Sequence, residues 1–142
     1  MDKKRYVLDT SAIFAYTKGE KGSKAIQDIL EAAKRKKETV VYISFITLME
    51  LYYITWQAKS EDAAKELVVL VKSLPLEVVN PHERLTLMAG RIKANCRLSV
   101  ADSFVAATAL DRDALLVHKD PEFEKMSVSV NTLKLPDKVA RR

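Results

Sequence analysis

Cysteine, histidine and glycine are scarce in this chain of 142 residues, and no long apolar run is present. The one cysteine, Cys96, cannot form a disulfide within the chain, which agrees with a reducing compartment. One cysteine and two histidines cannot supply a zinc site of the usual kind. No apolar stretch approaches the ~20 residues that a membrane-spanning helix needs. These absences exclude a disulfide-rich scaffold, a zinc module and a membrane protein.

The N-terminus carries Lys3, Lys4 and Arg5 ahead of apolar residues, as a weak signal peptide would. Asp9 interrupts the apolar run after three residues, however, and no small-residue cleavage pattern follows. We therefore expect the protein in the cytoplasm. The length is typical of one domain with a proper hydrophobic core.

The formal net charge is +5, so a cluster of carboxylates would form an acidic pocket on a basic protein. Such a pocket can hold a divalent cation while the surrounding surface attracts a polyanion. A charge of this size is also common in proteins that need it only for solubility. The charge alone therefore does not establish nucleic-acid binding.

A short apolar run at residues 6–8 predicts a buried strand that ends at Asp9, where a short helix begins. In open α/β sheets, ligands bind outside the carboxyl ends of the strands. Asp9, followed by the hydroxyl side chains of Thr10 and Ser11, is therefore a candidate metal ligand. Asp is also a good helix N-cap, and this stretch alone leaves both interpretations open.

Hydrophobic periodicity divides the rest of the chain into alternating helices and strands. Helices are predicted at 11–17, 23–36, 45–59, 61–73, 81–95 and 100–110, and further strands at 40–43, 76–79, 114–117 and near 128–133. This alternation predicts a parallel sheet that is covered by helices on both faces. Right-handed crossovers then place the carboxyl ends of all the strands at the same edge of the sheet.

Four carboxylates belong to that edge by their positions. Asp9 and Asp120 each follow a predicted strand, and Glu50 and Asp102 lie in the first turns of helices that begin at or near the edge. Hard oxygen ligands suit Mg²⁺ or Mn²⁺, which bridge to phosphate groups and lower the pKa of bound water. If the four carboxylates converge, the pattern indicates metal-dependent chemistry on a phosphate ester.

Each of these carboxylates also has a structural interpretation. Glu50 and Asp102 each stand three residues after a Thr or Ser, which is the capping-box pattern, and Asp120 precedes a proline, as in many turns. For the helix that carries Glu50, Ser44 is a better cap than Thr47. Glu50 is the only charge inside that apolar helix, so it needs a partner, either a cation or a backbone amide.

Three other polar residues receive structural interpretations. Asp111 and Asp113 flank an arginine in a short connection, and we interpret them as a solvated turn. His118 is interpreted as structural, with a role as a proton carrier at neutral pH as the alternative.

The chain resembles the PIN-domain family, and most closely the small VapC-type toxin ribonucleases. The matching stretches are Val-Leu-Asp-Thr-Ser-Ala around Asp9, residues 44–51 around Glu50, Ser-Val-Ala-Asp-Ser-Phe-Val-Ala-Ala-Thr-Ala-Leu around Asp102, and Leu-Leu-Val-His-Lys-Asp-Pro-Glu-Phe around Asp120. Each motif alone is loose, but four in this order are specific. The resemblance covers nearly the whole length and implies a single PIN domain over residues 1–142.

The resemblance implies an α/β fold, a three-layer sandwich in which helices flank a parallel sheet of about five strands, often ordered 3-2-1-4-5. It implies a catalytic, metal-binding quartet of Asp9, Glu50, Asp102 and Asp120, and a supporting hydroxyl at Ser11 that steadies Asp9. Asp9 and Asp102 would be the main ligands of Mg²⁺ or Mn²⁺. The implied activity is endonucleolytic cleavage of RNA by a metal-activated water, which leaves 5′-phosphate and 3′-hydroxyl ends.

The resemblance also implies partners, namely a second copy in a homodimer and an antitoxin that blocks the acidic groove. Tyr52, Tyr53 and Trp56 on the apolar helix would serve either contact or the core. His118 stands where many relatives carry Thr or Ser, so the hydrogen bonding beside Asp120 is expected to differ.

Two alternatives to the nuclease remain open. A catalytically silent PIN module would bind RNA or protein, although the intact quartet argues against it. A phosphotransferase of the haloacid-dehalogenase type also begins with a strand that ends in Asp. That chemistry needs a second Asp two residues later, where this chain has Ser11.

Overall fold

Strands and helices alternate in the computed structural model, which describes residues 3–35, 38–120, 123 and 130–136. The elements are β1 (Lys4–Leu8), α1 (Thr10–Thr17), α2 (Ser23–Arg35), β2 (Thr39–Ser44), α3 (Phe45–Ala58), α4 (Glu61–Ser73), β3 (Glu77–Val79), α5 (Glu83–Asn95), α6 (Val100–Asp111), β4 (Leu115–His118) and β5 (Thr132–Lys134). None of these helices is long and apolar enough to cross a membrane, within the part of the chain that the structure describes.

The five strands form one sheet in the order β3-β2-β1-β4-β5. Each of the four pairings is parallel, so the expected strand order and the expected parallel sheet are confirmed. The fifth strand was expected to include residues 128 and 129, which lie outside the described residues; the observed β5 pairs with the end of β4.

Apolar side chains pack on both faces of the sheet, because successive side chains of a strand point to opposite faces. In β1, Val7 belongs to the cluster formed with α5 and α6, whereas Leu8 belongs to the cluster formed with α1–α4. In β4, Leu116 and Val117 repeat this alternation. Helices therefore cover both faces, and the expected three layers are confirmed.

Local capping explains where the helices begin. The Oγ atom of Ser44 accepts a hydrogen bond from the backbone N of Ile46 at 3.3 Å, and α3 begins at the next residue, as expected. The predicted start of α5 at Pro81 is wrong. The Nδ1 atom of His82 accepts from the backbone N of Leu85 at 3.2 Å, so His82 is the N-cap and the helix begins after it.

The apolar helix α3 is only partly buried. Met49, Tyr53 and Trp56 follow one face at helical spacing and are 52%, 42% and 44% exposed. The alternative that places Tyr53 and Trp56 in the core is therefore wrong, whereas Tyr52 is half-buried. A patch of large apolar side chains on the surface usually marks a contact with another protein.

Candidate active site

Asp9 stands directly after β1 and is almost fully buried, with 4% of its surface exposed. Its Oδ1 atom accepts a hydrogen bond from the backbone N of Ala12 at 2.9 Å, so Asp9 caps α1. The same oxygen accepts from the Oγ atom of Ser11 at 2.7 Å. Among the described residues no donor reaches Oδ2, so the cap leaves one carboxylate oxygen for a ligand.

Burial raises the pKa of Asp9 from 3.8 to about 7. This pKa is a net result: burial makes the largest contribution, the hydrogen bonds from Ser11 and Ala12 lower the pKa, and the negative charges of Asp102 and Asp120 raise it. Asp102 and Asp120 are therefore close enough to Asp9 for their charges to act on its carboxyl group. Ionised carboxylates that lie this close repel one another, and a divalent cation would relieve the repulsion.

Asp102 lies in the first turn of α6, where the helix dipole favours an ionised carboxylate. Its backbone N donates to the Oγ atom of Ser99 at 3.0 Å, which forms the Ser99 half of the predicted capping box. Capping here is done by Ser99, and it sets the position of Asp102 at the start of the helix.

Asp120 comes two residues after the end of β4, which pairs in parallel with β1. The carbonyl of Asp120 accepts from the backbone N of Phe123 at 3.3 Å, as expected for a turn. The preceding residue, Lys119, donates its backbone N–H to the Oγ atom of Ser11 at 2.8 Å. Ser11 thus accepts from the end of β4 and donates to Asp9, which joins the two strand ends.

Glu50 is held by a hydroxyl group. The Oγ1 atom of Thr10 donates to the Oε1 atom of Glu50 at 2.7 Å, where the sequence indicated a cation or a backbone amide. The capping box with Thr47 is not formed, because Ser44 caps the helix and no described atom hydrogen-bonds with the Thr47 hydroxyl. Thr10 directly follows Asp9 in the chain, so the hydrogen bond from Thr10 brings Glu50 to the start of α1.

The donor set fits a hydrated hard cation. Within the described residues, no three His, Cys, Asp or Glu side chains are arranged to enclose a metal ion. Mg²⁺ keeps several waters and binds through one or two carboxylates, so it does not need an enclosing set. A single desolvated aspartate with two other carboxylates acting on it matches that requirement.

His118 is fully buried at the end of β4, and its ring packs on Phe123 with the centroids 5.0 Å apart. This burial favours the structural interpretation over a role as a proton carrier.

Asp111 is not part of a solvated turn, so that interpretation is wrong. Its side chain is 12% exposed, and its carboxylate has three basic groups nearby, at 3.8 Å from His82, 4.0 Å from Arg84 and 3.8 Å from Arg112. Asp113 is exposed and adopts a φ of 49°, as expected for a turn residue.

The contacts of two residues next to the carboxylates were missed by the sequence analysis. Thr10 holds Glu50, and Lys119, the residue before Asp120, lines a cavity of about 280 Å³ together with Ser11. Neither contact has a local sequence signal, because Thr10 and Glu50 are 40 residues apart and the contacts of Lys119 span about a hundred.

Comparisons with known proteins agree with the fold. The family model of the PIN domain matches residues 6–128. VapBC2 from Rickettsia felis, bound to a promoter DNA fragment, is 20% identical with a TM-score of 0.74, over 93% of this chain and 99% of that chain. DNA-bound VapBC from Salmonella typhimurium is 23% identical with a TM-score of 0.72, over 94% and 98% of the two chains.

A third similar structure is VapC20 from Mycobacterium tuberculosis, described as a toxin that cleaves the sarcin-ricin loop. It is 18% identical with a TM-score of 0.65, over 84% of this chain and 92% of that chain. At these identities the likeness shows the fold. No curated protein matches the sequence.

Proposed function

Since this chain belongs to the PIN-domain family, we propose that it is a metal-dependent endoribonuclease and the toxin of a toxin–antitoxin pair. One observation carries the proposal: the buried carboxyl group of Asp9 lies at the carboxyl edge of a parallel sheet, joined through Ser11 to the chain beside Asp120 and within reach of the charges of Asp102 and Asp120. Similar folds in VapBC complexes and in an RNA-cleaving VapC toxin support it. We further propose that residues 1–142 form a single domain.

The residues of the chain would have the following roles in the site. Asp9 and Asp102 would be the main ligands of Mg²⁺ or Mn²⁺, and Glu50 and Asp120 would complete the site directly or through water. Ser11 and the N–H at the start of α1 hold one oxygen of Asp9, so this residue would bind through its other oxygen. When bound, the cation supplies charge that stabilises the phosphodiester and lowers the pKa of water.

The reaction would be hydrolysis of a phosphodiester bond in RNA. Water would attack phosphorus and the 3′ oxygen would leave with a proton, which gives 5′-phosphate and 3′-hydroxyl ends. The net charge of +5 would attract the RNA from solution, although the site itself is acidic. Affinity for RNA should therefore fall as the salt concentration rises, and a flat salt response would contradict the role of the basic surface.

Cleavage of single-stranded RNA by the purified protein tests the proposal. We expect cleavage with Mn²⁺ or Mg²⁺, none with a chelator, and a loss of at least about a hundredfold in Asp9→Asn and in Asp102→Asn. Asp113→Asn is the matched control, because Asp113 lies at the far end of α6 in an exposed turn and should keep full activity.

Two outcomes would contradict the nuclease. Cleavage that survives in the double variant Asp9→Asn/Asp102→Asn would come from a contaminating enzyme. RNA binding without any cleavage by the wild-type protein would favour the catalytically silent module.

We also propose two protein partners. An antitoxin would cover the acidic edge, as suggested by the VapBC complexes and by a toxin–antitoxin complex from Klebsiella pneumoniae with a similar fold. A second copy of the chain would cover the apolar face of α3, namely Met49, Tyr53 and Trp56, because this exposed face needs a protein contact of its own.

A further inference from the structure

We propose that Lys119 is a positioning residue, whose buried ion pair with Glu20 fixes Asp120 relative to Asp9. The inference rests on the proposed function, because it assigns Lys119 a part in the geometry of the proposed metal site. It gives a role in the proposed site to a residue that would contact neither the metal nor the RNA.

The side chain of Lys119 is unusually buried for a lysine, with 8% of it exposed, and that of its partner Glu20 is 15% exposed. The Nζ atom lies 3.5 Å from the Oε1 atom of Glu20 and donates to the carbonyl oxygen of Lys21 at 3.2 Å. Both partners belong to the turn that connects α1 to α2. A lysine is buried in this way only when its charge is paired and hydrogen-bonded.

The backbone of Lys119 contacts the other end of α1. Its N–H donates to the Oγ atom of Ser11 at 2.8 Å, and Ser11 donates to the Oδ1 atom of Asp9 at 2.7 Å. One residue is therefore tied to the start of α1 through its backbone and to the turn after α1 through its side chain. Asp120 is the next residue in the chain, so these contacts limit where its carboxylate can lie.

Loss of the ion pair should act on Asp120 first. Without the charge of Glu20, the Lys119 side chain loses the contact that holds it against the α1–α2 turn, and its ammonium group would turn towards water in the cavity that it lines, which loosens the chain at residues 118–120. That movement would weaken the hydrogen bond from Lys119 to Ser11 and shift Asp120 away from Asp9. Supporting residues of this kind typically change metal affinity by tenfold or more when they are mutated.

A direct role for Lys119 in RNA binding does not fit its surroundings. The side chain is largely buried and both identified contacts of its ammonium group lie in the α1–α2 turn, so its charge is already paired and a phosphate would have to compete with Glu20. Lys119 variants should therefore leave the salt dependence of RNA binding unchanged, whereas loss of a phosphate-contacting lysine reduces it.

Calorimetric titration of Mn²⁺ without RNA tests the proposal, using Lys119→Met, which keeps the length of the side chain and removes its charge. We expect the Kd for Mn²⁺ to rise roughly tenfold in Lys119→Met and in Glu20→Gln. The Kd for Mn²⁺ of the double variant should be little higher than that of either single variant, because both substitutions remove the same ion pair. Lys119→Arg should restore most of the affinity.

The matched control is Lys24→Met, which breaks an exposed ion pair with Asp28, 2.9 Å long, on the neighbouring helix α2. This change should leave the Kd for Mn²⁺ at the wild-type value. In RNA cleavage, Lys119→Met should lower kcat and leave the KM for RNA unchanged.

A merely structural role would lower the melting temperature of Lys119→Met without changing its Kd for Mn²⁺, and that result would overturn the proposal. Wild-type protein that binds Mn²⁺ but cleaves no RNA would overturn the nuclease, while a weakened Kd in Lys119→Met would still support the positioning role. Wild-type protein that does not bind Mn²⁺ at millimolar concentrations would overturn both.

Discussion

Replacing Asp9 by Asn should stabilise the metal-free protein above pH 7, although it removes a candidate metal ligand. Burial raises the pKa of Asp9 from 3.8 to about 7, so the folded state binds the proton more tightly than the unfolded state does. Ionisation of Asp9 therefore opposes folding. Below about pH 4 the carboxyl group is protonated in both states and does not lower the free energy of unfolding. The loss of unfolding free energy grows as the pH rises towards 7 and reaches its full value above that pH.

The size of the effect follows from the two pKa values. Each pH unit between them corresponds to about 1.4 kcal/mol, so ionised Asp9 destabilises the fold by at most about 4 kcal/mol above pH 7. Asn has the same shape, stays neutral and is also a good N-cap. Its Oδ1 atom can accept the same two hydrogen bonds from Ser11 and Ala12, so the start of α1 should be preserved.

Urea denaturation with a chelator, repeated between pH 4 and pH 8, measures this effect. The free energy of unfolding of Asp9→Asn should match that of the wild type near pH 4 and exceed it by up to about 4 kcal/mol at pH 8. The control Asp113→Asn should follow the wild type at every pH, because Asp113 is exposed. A difference that does not change with pH, or an Asp9→Asn variant that is less stable at pH 8, would refute the assignment of a raised pKa to Asp9.

Three further predictions concern the same site and the exposed face of α3. Below pH 7, binding of Mn²⁺ should release about one proton, and the affinity for Mn²⁺ should rise about tenfold per pH unit, because Asp9 must ionise. Calorimetry in two buffers would count the released proton, and the absence of any release at pH 6 would contradict the prediction. Ser11→Ala removes a hydrogen bond that lowers the pKa of Asp9, so the pH dependence of Mn²⁺ binding should move upward, while Ser11→Thr should resemble the wild type. Tyr53→Glu should reduce the mass measured by light scattering from twice 16.0 kDa to 16.0 kDa, and a wild-type protein that is already monomeric would contradict the proposed dimer.

The fold was largely predictable, because buried parallel strands appear in the sequence as short apolar runs between amphipathic helices. The strand ending at Asp9 and the helix Glu61–Ser73 have the expected positions. The start of α5 was not predicted correctly, because Pro81 favoured an earlier first turn while the ring of His82 supplies the cap. Histidine is not among the residues that usually cap helices, so the sequence pattern did not indicate an N-cap at this position.

The site was predictable as far as local patterns reach. That Asp9 caps a helix at a strand end, and that Ser11 lies beside it, follows from neighbouring residues in the sequence. The hydroxyl that holds Glu50 comes from 40 residues away, and the partner of Lys119 comes from 99 residues away. Contacts of that separation depend on how the helices pack on the sheet, and no spacing rule describes them.

The two interpretations of Asp9, a helix cap and a metal ligand, turn out to be compatible in one side chain. The hydrogen bonds that form the cap lower its pKa, and burial with two other carboxylates nearby raises it, with a balance at about 7. A pKa raised this far lets Asp9 hold a proton near neutral pH when no metal is bound, which limits the repulsion among the carboxylates. A cation that binds there has only to displace this proton, so the fold can be stable without the metal and still bind it.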